Sequence, residues 1–307
     1  MTTATKSGGQ LERTLLDGQF AVTAEITPPL SADPTSMLDR AAPLKGLVDA
    51  VNVTEGASAR AHLSSLAAAG QLVGAGLEPV LQINGRDRNK LLLERDILGA
   101  AALGVPNLLA LRGDPISKGD EPEATEVPDL GAADIVQVAT HMRDTGTLPS
   151  GREIEAAPRV LVGATDMPIE PTSGWKPESL QRKLDAGADF IQTQFCFDAD
   201  LLKRYMSALA DAGISRTTGY LVGLGPLTSE RQARWLVDNL WGTVIPEPVI
   251  DLLGKATDPR EEGRRIVADI ARAYVEIPGV TGVHMMGHRA EAESAEIIAA
   301  SCIIELR

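Results

Sequence analysis

The chain alternates short apolar runs with longer amphipathic segments, and it does so eight times with turn residues between them. Residues 105–111, for example, form a mostly aliphatic run without a polar face, which is typical of a strand buried on both sides of a parallel sheet. Strands that alternate with helices predict such a sheet. The predicted strands are 20–26, 50–53, 78–83, 105–111, 159–164, 187–195, 217–224 and 281–285.

Eight strand–helix units in 307 residues fit an α/β fold of the (β/α)8 TIM barrel type better than an open doubly wound sheet. No Gly-x-Gly-x-x-Gly sequence follows a predicted strand, which also disfavours a dinucleotide-binding domain of the open-sheet type. We therefore predict a single domain, with residues 1–18 as a flexible N-terminal tail and residues 19–307 as the barrel.

The composition narrows the classes of function. A formal charge of −13 and an aromatic content of 3% disfavour a nucleic-acid partner, which needs a basic surface and stacking rings. Residues 1–10 lack the apolar core of a signal peptide, and no window has the length of a membrane span. Two cysteines outside any Cys-x-x-Cys pair indicate a reducing environment. We expect a cytoplasmic protein without a membrane or nucleic-acid partner, and its oligomeric state stays open.

Polar residues stand at the carboxyl ends of three predicted strands, which is the end where barrels bind ligands. Glu25 ends the first strand, Asp114 follows the fourth and Gln194 lies near the end of the sixth. A glutamic acid among apolar neighbours keeps its proton near neutral pH, which suits a general acid. Three plain alternatives stay open: Glu25 as a carboxylate held by backbone amides, Asp114 as part of an ordinary turn, and Gln194 as a satisfied core amide.

The sequence positions of the histidines give less indication of a catalytic or metal-binding role than those of the three polar residues above. His284 and His288 lie in a predicted strand and turn rather than on a helix, which disfavours a metal site, so no metal is expected. His62 falls within a helix predicted over 60–74 and His141 within another helix, and both are interpreted as structural.

Three stretches together resemble the signature sequences of the methylenetetrahydrofolate reductases. They are Ala-Glu-Ile-Thr-Pro-Pro at 24–29, Ala-Leu-Arg-Gly-Asp at 110–114, and the pair Arg-Lys-Leu-Asp-Ala-Gly-Ala at 182–188 with Thr-Gln-Phe-Cys-Phe-Asp at 193–198. The resemblance implies a catalytic barrel that reduces 5,10-methylenetetrahydrofolate to 5-methyltetrahydrofolate, in one-carbon and methionine metabolism. It also implies a small-molecule folate as substrate.

The resemblance further implies a role for each of the three polar residues. Glu25 is the acid that assists opening of the methylene bridge to an iminium ion. Asp114 binds the pterin and favours its transient positive charge, and Gln194 hydrogen-bonds the pterin or the nicotinamide. This agrees with the chemistry, because ring opening needs a proton donor of raised pKa and a cation needs a fixed negative charge.

Members of the family ordinarily use FAD, and the resemblance implies five flavin-contacting residues. They are Thr54, Arg112, Gly113, Arg182 and Lys183. Other matching positions depart from the family pattern: Gln82 stands for a histidine, Glu55 for a tyrosine, Lys176 and Ser179 for an acid and an amide, and Glu230 for an aromatic residue.

Each departure removes a stacking contact or a hydrogen bond that a flavin would use. We therefore expect weak or absent FAD binding and direct hydride transfer from NADH or NADPH, without a readable preference between the two.

Several expectations rest on position alone. Arg289, Lys255 and the loop at 86–88 are candidates for binding the anionic folate tail, and residues 115–129 form either a lid or a mobile insertion. Two other functions stay open: a folate-binding or methyl-transferring barrel without reductase activity, and a non-catalytic barrel used for protein interaction.

Overall fold

Eight parallel strands form one sheet in which the last strand pairs with the first, so that the sheet closes into a barrel. The structure is a computed structural model that describes residues 5–127, 129–214 and 218–306. The strands are β1 Ala21–Ile26, β2 Ala50–Val53, β3 Pro79–Asn84, β4 Asn107–Leu111, β5 Leu161–Asp166, β6 Phe190–Phe195, β7 Gly219–Leu224 and β8 Gly282–Met285. The predicted TIM barrel is confirmed, and Thr217 of the predicted seventh strand lies outside the described residues.

Helices surround the barrel and cover its apolar outer face. They are α1 Gln10–Leu16, α2 Thr35–Ala41, α3 Ser65–Gly74, α4 Lys90–Ala102, α5 Ala132–Thr145, α6 Glu178–Asp185, α7 Ala199–Asp211, α8 Glu230–Asn239, α9 Glu247–Lys255, α10 Pro259–Val275 and α11 Glu291–Ser301. Asp198, Ser229 and Asp258 cap helices α7, α8 and α10 by accepting hydrogen bonds from free backbone amides.

The lower half of the barrel interior is filled by apolar side chains. Successive strand residues point alternately inward and outward, and the first inward residue of most strands is aliphatic or aromatic. Phe190 is the largest of these, and Gly163 makes room for it, since a Cβ at position 163 would lie 2.3 Å from Phe190 Cζ. The lower half is therefore packed with side chains, and space for a ligand is left at the carboxyl ends of the strands.

The segment predicted as an N-terminal tail contains helix α1, which packs against the lower end of the barrel. Leu11 is fully buried beneath the strands, and Glu12 accepts hydrogen bonds from the amides of Ser7 and Gly8. The boundary at residue 18 stays a prediction.

The predicted start of the second long helix, at residue 60, is wrong. Helix α3 begins at Ser65, and His62 lies in the preceding loop, where its Nε2 accepts a hydrogen bond from the Gly56 amide. This loop is not helical, because the backbone is extended at Arg60, with a ψ of 147°, and non-helical at Ser64, with a ψ of 128°. Helix α9 was not predicted at all.

No helix in the described ranges is long and apolar enough to cross a membrane. Those ranges also contain no cluster of three or more His, Cys, Asp or Glu side chains arranged to hold a metal ion.

Candidate active site

A cavity of about 520 Å³ opens at the carboxyl ends of the strands. Its floor is built by inward-facing residues of strands β1, β3, β6 and β8, namely Glu25, Gln82, Gln192 and His284. One wall comes from the end of β5 and from helices α6 and α7, and Trp241, which is 83% exposed, borders the cavity after helix α8. The volume and the mixture of apolar walls with a few polar groups are typical of a small-molecule site.

Glu25 is an acid whose properties are set by the barrel. The surrounding protein removes its carboxyl group from bulk water, and this burial raises its pKa to about 7. The Gly287 amide and the Gln82 side chain oppose the rise by donating hydrogen bonds, whereas the charge of Glu291 adds to it. Near neutral pH, Glu25 can therefore exist both as a proton donor and as a carboxylate.

Gln82 is oriented by a backbone contact. Its Oε1 accepts a hydrogen bond from the Glu55 amide at 3.2 Å, which leaves the NH₂ group of the side chain to face Glu25. A histidine at this position would have offered Glu25 a titratable partner, whereas the amide of Gln82 stays neutral. Gln82 is thus part of the environment of the acid.

A buried polar layer lies directly under the cavity. Asn52 and Gln192 exchange two side-chain hydrogen bonds of 2.6 and 3.2 Å, and Gln192 also donates to Thr23 Oγ1 at 3.3 Å. Thr23 Oγ1 lies 2.9 Å from Nδ1 of His284. Burial lowers the pKa of His284 to about 3, so its ring is neutral.

The wall beside β5 carries an acid held by two tyrosines. Asp166 Oδ2 accepts hydrogen bonds of 2.7 Å from both Tyr205 and Tyr220. Lys183 lies nearby and donates to the Thr165 carbonyl at 2.5 Å, and burial lowers the pKa of its ammonium group. Sequence reasoning missed Asp166 because the fifth strand was predicted to end at residue 164.

Of the three predicted catalytic residues, the cavity brings two together. Glu25 and Gln194 line it, and Gln194 is held at the rim because its Oε1 accepts from the Phe195 amide at 3.0 Å. Asp114 lies at the same end of the barrel but does not line the cavity. Its carboxylate accepts from the Ser58 amide at 2.7 Å and its carbonyl from Arg86 at 2.8 Å.

Most of the residues that the resemblance assigns to flavin lie outside the cavity lining. Thr54 is buried and donates its hydroxyl to the Ile26 carbonyl, Arg112 is exposed, and Gly113 has a positive φ of 89° at a point crowded by neighbouring side chains. Arg182 belongs to helix α6 without lining the cavity, whereas Lys183 does line it.

The predicted cationic candidates differ in their surroundings. Arg88 is paired with Glu55 at 2.5 Å and with Asp96 at 2.7 Å, and Arg86 is paired with Asp87, so the loop at 86–88 is not a free positive patch. The positive charges of both arginines are neutralised by carboxylates of the protein itself.

Arg289 and Lys255 are the other two candidates for the folate tail. Arg289 lies in the turn that follows β8 and the cavity-lining Met286, and it adopts a positive φ of 53°. Non-glycine residues at positive φ occur in tight turns and at functional sites. Lys255 is exposed on helix α9 and lies 3.9 Å from Asp251.

Comparisons with known proteins agree with the geometry. The sequence model described as methylenetetrahydrofolate reductase matches residues 10–302. A 5,10-methylenetetrahydrofolate reductase of Salmonella typhimurium is 28% identical over 278 residues, which cover 87% of this chain and 85% of that protein. Methylenetetrahydrofolate reductase (NADH) 1 of Zea mays is 32% identical over 163 residues, and the match spans 53% of this chain but only 27% of the maize protein.

A solved structure shares the architecture. A protein from Clostridium thermocellum that binds two copies of 5-methyl-5,6,7,8-tetrahydrofolic acid superposes with a TM-score of 0.66, at 13% identity, over 97% of this chain and 100% of that chain. At this identity the likeness concerns the fold alone. Because the sequence model covers nearly the whole chain, the resemblance seen in the signature stretches is confirmed, and the chain belongs to the methylenetetrahydrofolate reductase family.

Proposed function

We propose that the protein reduces 5,10-methylenetetrahydrofolate to 5-methyltetrahydrofolate with hydride from NADH or NADPH. Family membership supports the reaction, and the NADH-type relative from maize supports a nicotinamide donor. The observation that carries the proposal is the acid at the cavity floor: Glu25 borders the cavity, and its pKa of about 7 lets it give up a proton near neutral pH.

Glu25 acts twice in this scheme. Its carboxyl group donates a proton to N10 of the folate as the bond between N10 and the bridging carbon breaks, which leaves an iminium ion at N5. The resulting carboxylate then lies close to the cation and stabilises it. Hydride from the nicotinamide adds to the iminium carbon and completes the methyl group.

Gln194 and Asp114 are proposed to bind the pterin, and Arg289 the anionic tail. Gln194 suits this role because it borders the cavity and its Nε2 makes, among the described residues, one long contact of 3.4 Å, with the Trp241 carbonyl. Asp114 is the weaker candidate, because its carboxylate is already engaged by the Ser58 amide.

The residues present do not fit a tightly bound FAD. Of the five positions that the resemblance assigns to flavin, Lys183 borders the cavity while Thr54, Arg112, Gly113 and Arg182 do not. In addition, Gln82 is engaged by the Glu55 amide and Glu25. We therefore infer that the hydride passes from the nicotinamide directly to the folate.

We expect the purified protein to show no flavin band in its visible absorption spectrum. We also expect the rate of NADH oxidation with methylenetetrahydrofolate to be unchanged by added FAD, because no flavin takes part in the transfer. Absorption spectroscopy and a stopped assay with and without FAD check both points. A stoichiometric flavin in the pure protein, or activity that appears only on FAD addition, would contradict the inference.

A second function, folate binding or methyl transfer without reduction, is favoured by the fold shared with a protein that binds 5-methyltetrahydrofolic acid. The two functions differ in their use of the nicotinamide. NADH consumption that depends on methylenetetrahydrofolate supports the reductase, whereas folate binding without NADH consumption supports the alternative.

A further inference from the structure

His284 lies on the cavity floor and is only 2% exposed. It faces inward on β8, opposite Thr23 on β1, and its sequence position disfavours a metal site. Nothing in the scheme proposed above uses it. A buried polar ring at the floor of a binding cavity nevertheless needs an account of both of its nitrogens.

The polar layer decides which nitrogen of His284 carries the proton. Thr23 Oγ1 accepts a hydrogen bond from Gln192 Nε2, so its own hydrogen is free to be donated. Two acceptors are within reach, His284 Nδ1 at 2.9 Å and the Val283 carbonyl at 3.5 Å. The shorter contact is the stronger one, and Nδ1 is therefore an acceptor without a proton.

The other nitrogen, Nε2, must then carry the hydrogen. Among the described residues, the buried side-chain atoms without a hydrogen-bond partner are Asn107 Oδ1 and Thr243 Oγ1. No protein group in these ranges hydrogen-bonds His284 Nε2, and the ring lines the cavity, so we infer that this nitrogen is directed to a ligand there. The ring stays neutral near pH 7, because burial lowers its pKa to about 3.

We propose that His284 donates a hydrogen bond through Nε2–H to an amide-type carbonyl oxygen on the planar nitrogen heterocycle that occupies the cavity. Two such groups fit this chemistry, the ring carbonyl of a pterin and the carboxamide of a nicotinamide. The proposal rests on the proposed function for the identity of these ligands. Thr23, Gln192 and Asn52 are positioning residues that hold the ring in the donor tautomer.

Nitrogen-15 NMR of the full chain, labelled at its four histidines, tests the tautomer directly. We expect one ring with a proton on Nε2 that does not titrate around pH 6.5, where an ordinary histidine does. The Thr23→Val variant keeps the shape but removes the hydroxyl group, and we expect it to shift this signal. A proton on Nδ1, or an ordinary titration of His284, would overturn the proposal.

Equilibrium binding of 5-methyltetrahydrofolate and of NADH tests the donor without requiring turnover. We expect His284→Phe to weaken one ligand roughly tenfold, the size of one lost hydrogen bond, and His284→Gln, which keeps a donor, to weaken it less. The affected ligand identifies the acceptor. His141→Phe, on helix α5, is the control.

Unchanged affinity for both ligands in a folded His284→Phe variant would overturn the proposal. Failure of the proposed function is seen separately, as wild-type protein that binds these ligands but does not oxidise NADH.

Discussion

Replacing Glu25 by glutamine is expected to lower kcat for methylenetetrahydrofolate-dependent NADH oxidation by about 10²–10⁴-fold, the usual contribution of a general acid. Glutamine has nearly the same shape and can still accept a hydrogen bond from Gln82, but it has no proton to give to N10 and no charge to stabilise the iminium ion. Steady-state kinetics at saturating NADH measure the effect. Binding of 5-methyltetrahydrofolate should change much less, because this product no longer needs the proton.

The pH dependence supplies an independent check on Glu25. Because its pKa is raised to about 7, the protonated acid is present below pH 7 and is lost above it, so wild-type kcat/KM should fall as the pH rises through 7. The variant should lack this step. A loss of less than tenfold, or the same step in both proteins, would contradict the assignment.

The raised pKa of Glu25 also predicts how Glu25→Gln changes stability, which distinguishes a loss of catalysis from a loss of folded protein. In the unfolded chain Glu25 ionises with an ordinary pKa of 4.5, whereas in the folded protein its pKa is about 7. The buried charge therefore lowers the free energy of unfolding progressively between pH 4.5 and 7, and the full loss is present above pH 7. A neutral glutamine avoids that loss. We therefore expect Glu25→Gln to be at least as stable as the wild type at pH 8, so that lost activity cannot be ascribed to unfolding.

The barrel was predictable because its signal is local and repeated. Each strand is an apolar run and each helix has its own apolar face, so eight independent pieces of evidence led to the same topology. The carboxyl-terminal position of Glu25 and Gln194 followed from the direction of parallel strands alone. Strand alternation would also have placed His284 inward, two residues before Met286, but its neighbours gave no sign of the tautomer.

The parts that could not be predicted depend on contacts between distant segments. Asp114 follows its strand as expected, yet a loop with two residues at positive φ supplies the amide that binds its carboxylate. Asp166 becomes notable only when Tyr205 and Tyr220, which come from other elements, meet on one of its oxygens. Contacts between residues that are distant in the sequence produce no periodic pattern in it.

Glu55 illustrates the same limit, because nothing in the sequence around it indicates an ion pair. Its carboxylate accepts two hydrogen bonds from Arg88, at 2.5 and 2.7 Å, one from the Asn84 amide and one from the Ser65 hydroxyl. The side chains of Glu55 and Arg88 are only 9% and 11% exposed. Position 55 thus holds one end of a buried ion pair.

We expect Glu55→Gln to lower the free energy of unfolding by about 3 kcal/mol, because it leaves a buried guanidinium without its main counter-charge. Asp96 stays 2.7 Å from Arg88, which keeps the loss at the lower end of the range for broken buried pairs. Urea denaturation followed by circular dichroism measures the change.

Glu170→Gln is the matched control, since Glu170 also pairs with an arginine through two hydrogen bonds, of 2.8 and 2.6 Å to Arg204, but both side chains are 53% exposed. Exposed pairs are worth about 0–1 kcal/mol, so the two variants should differ clearly in stability. Equal losses would mean that burial does not set the strength of the Glu55 pair.

The Glu55 ion pair also matters for the active site, because the Glu55 backbone amide orients Gln82, which in turn faces Glu25. A loosened Glu55 segment should therefore disturb the acid as well as the fold.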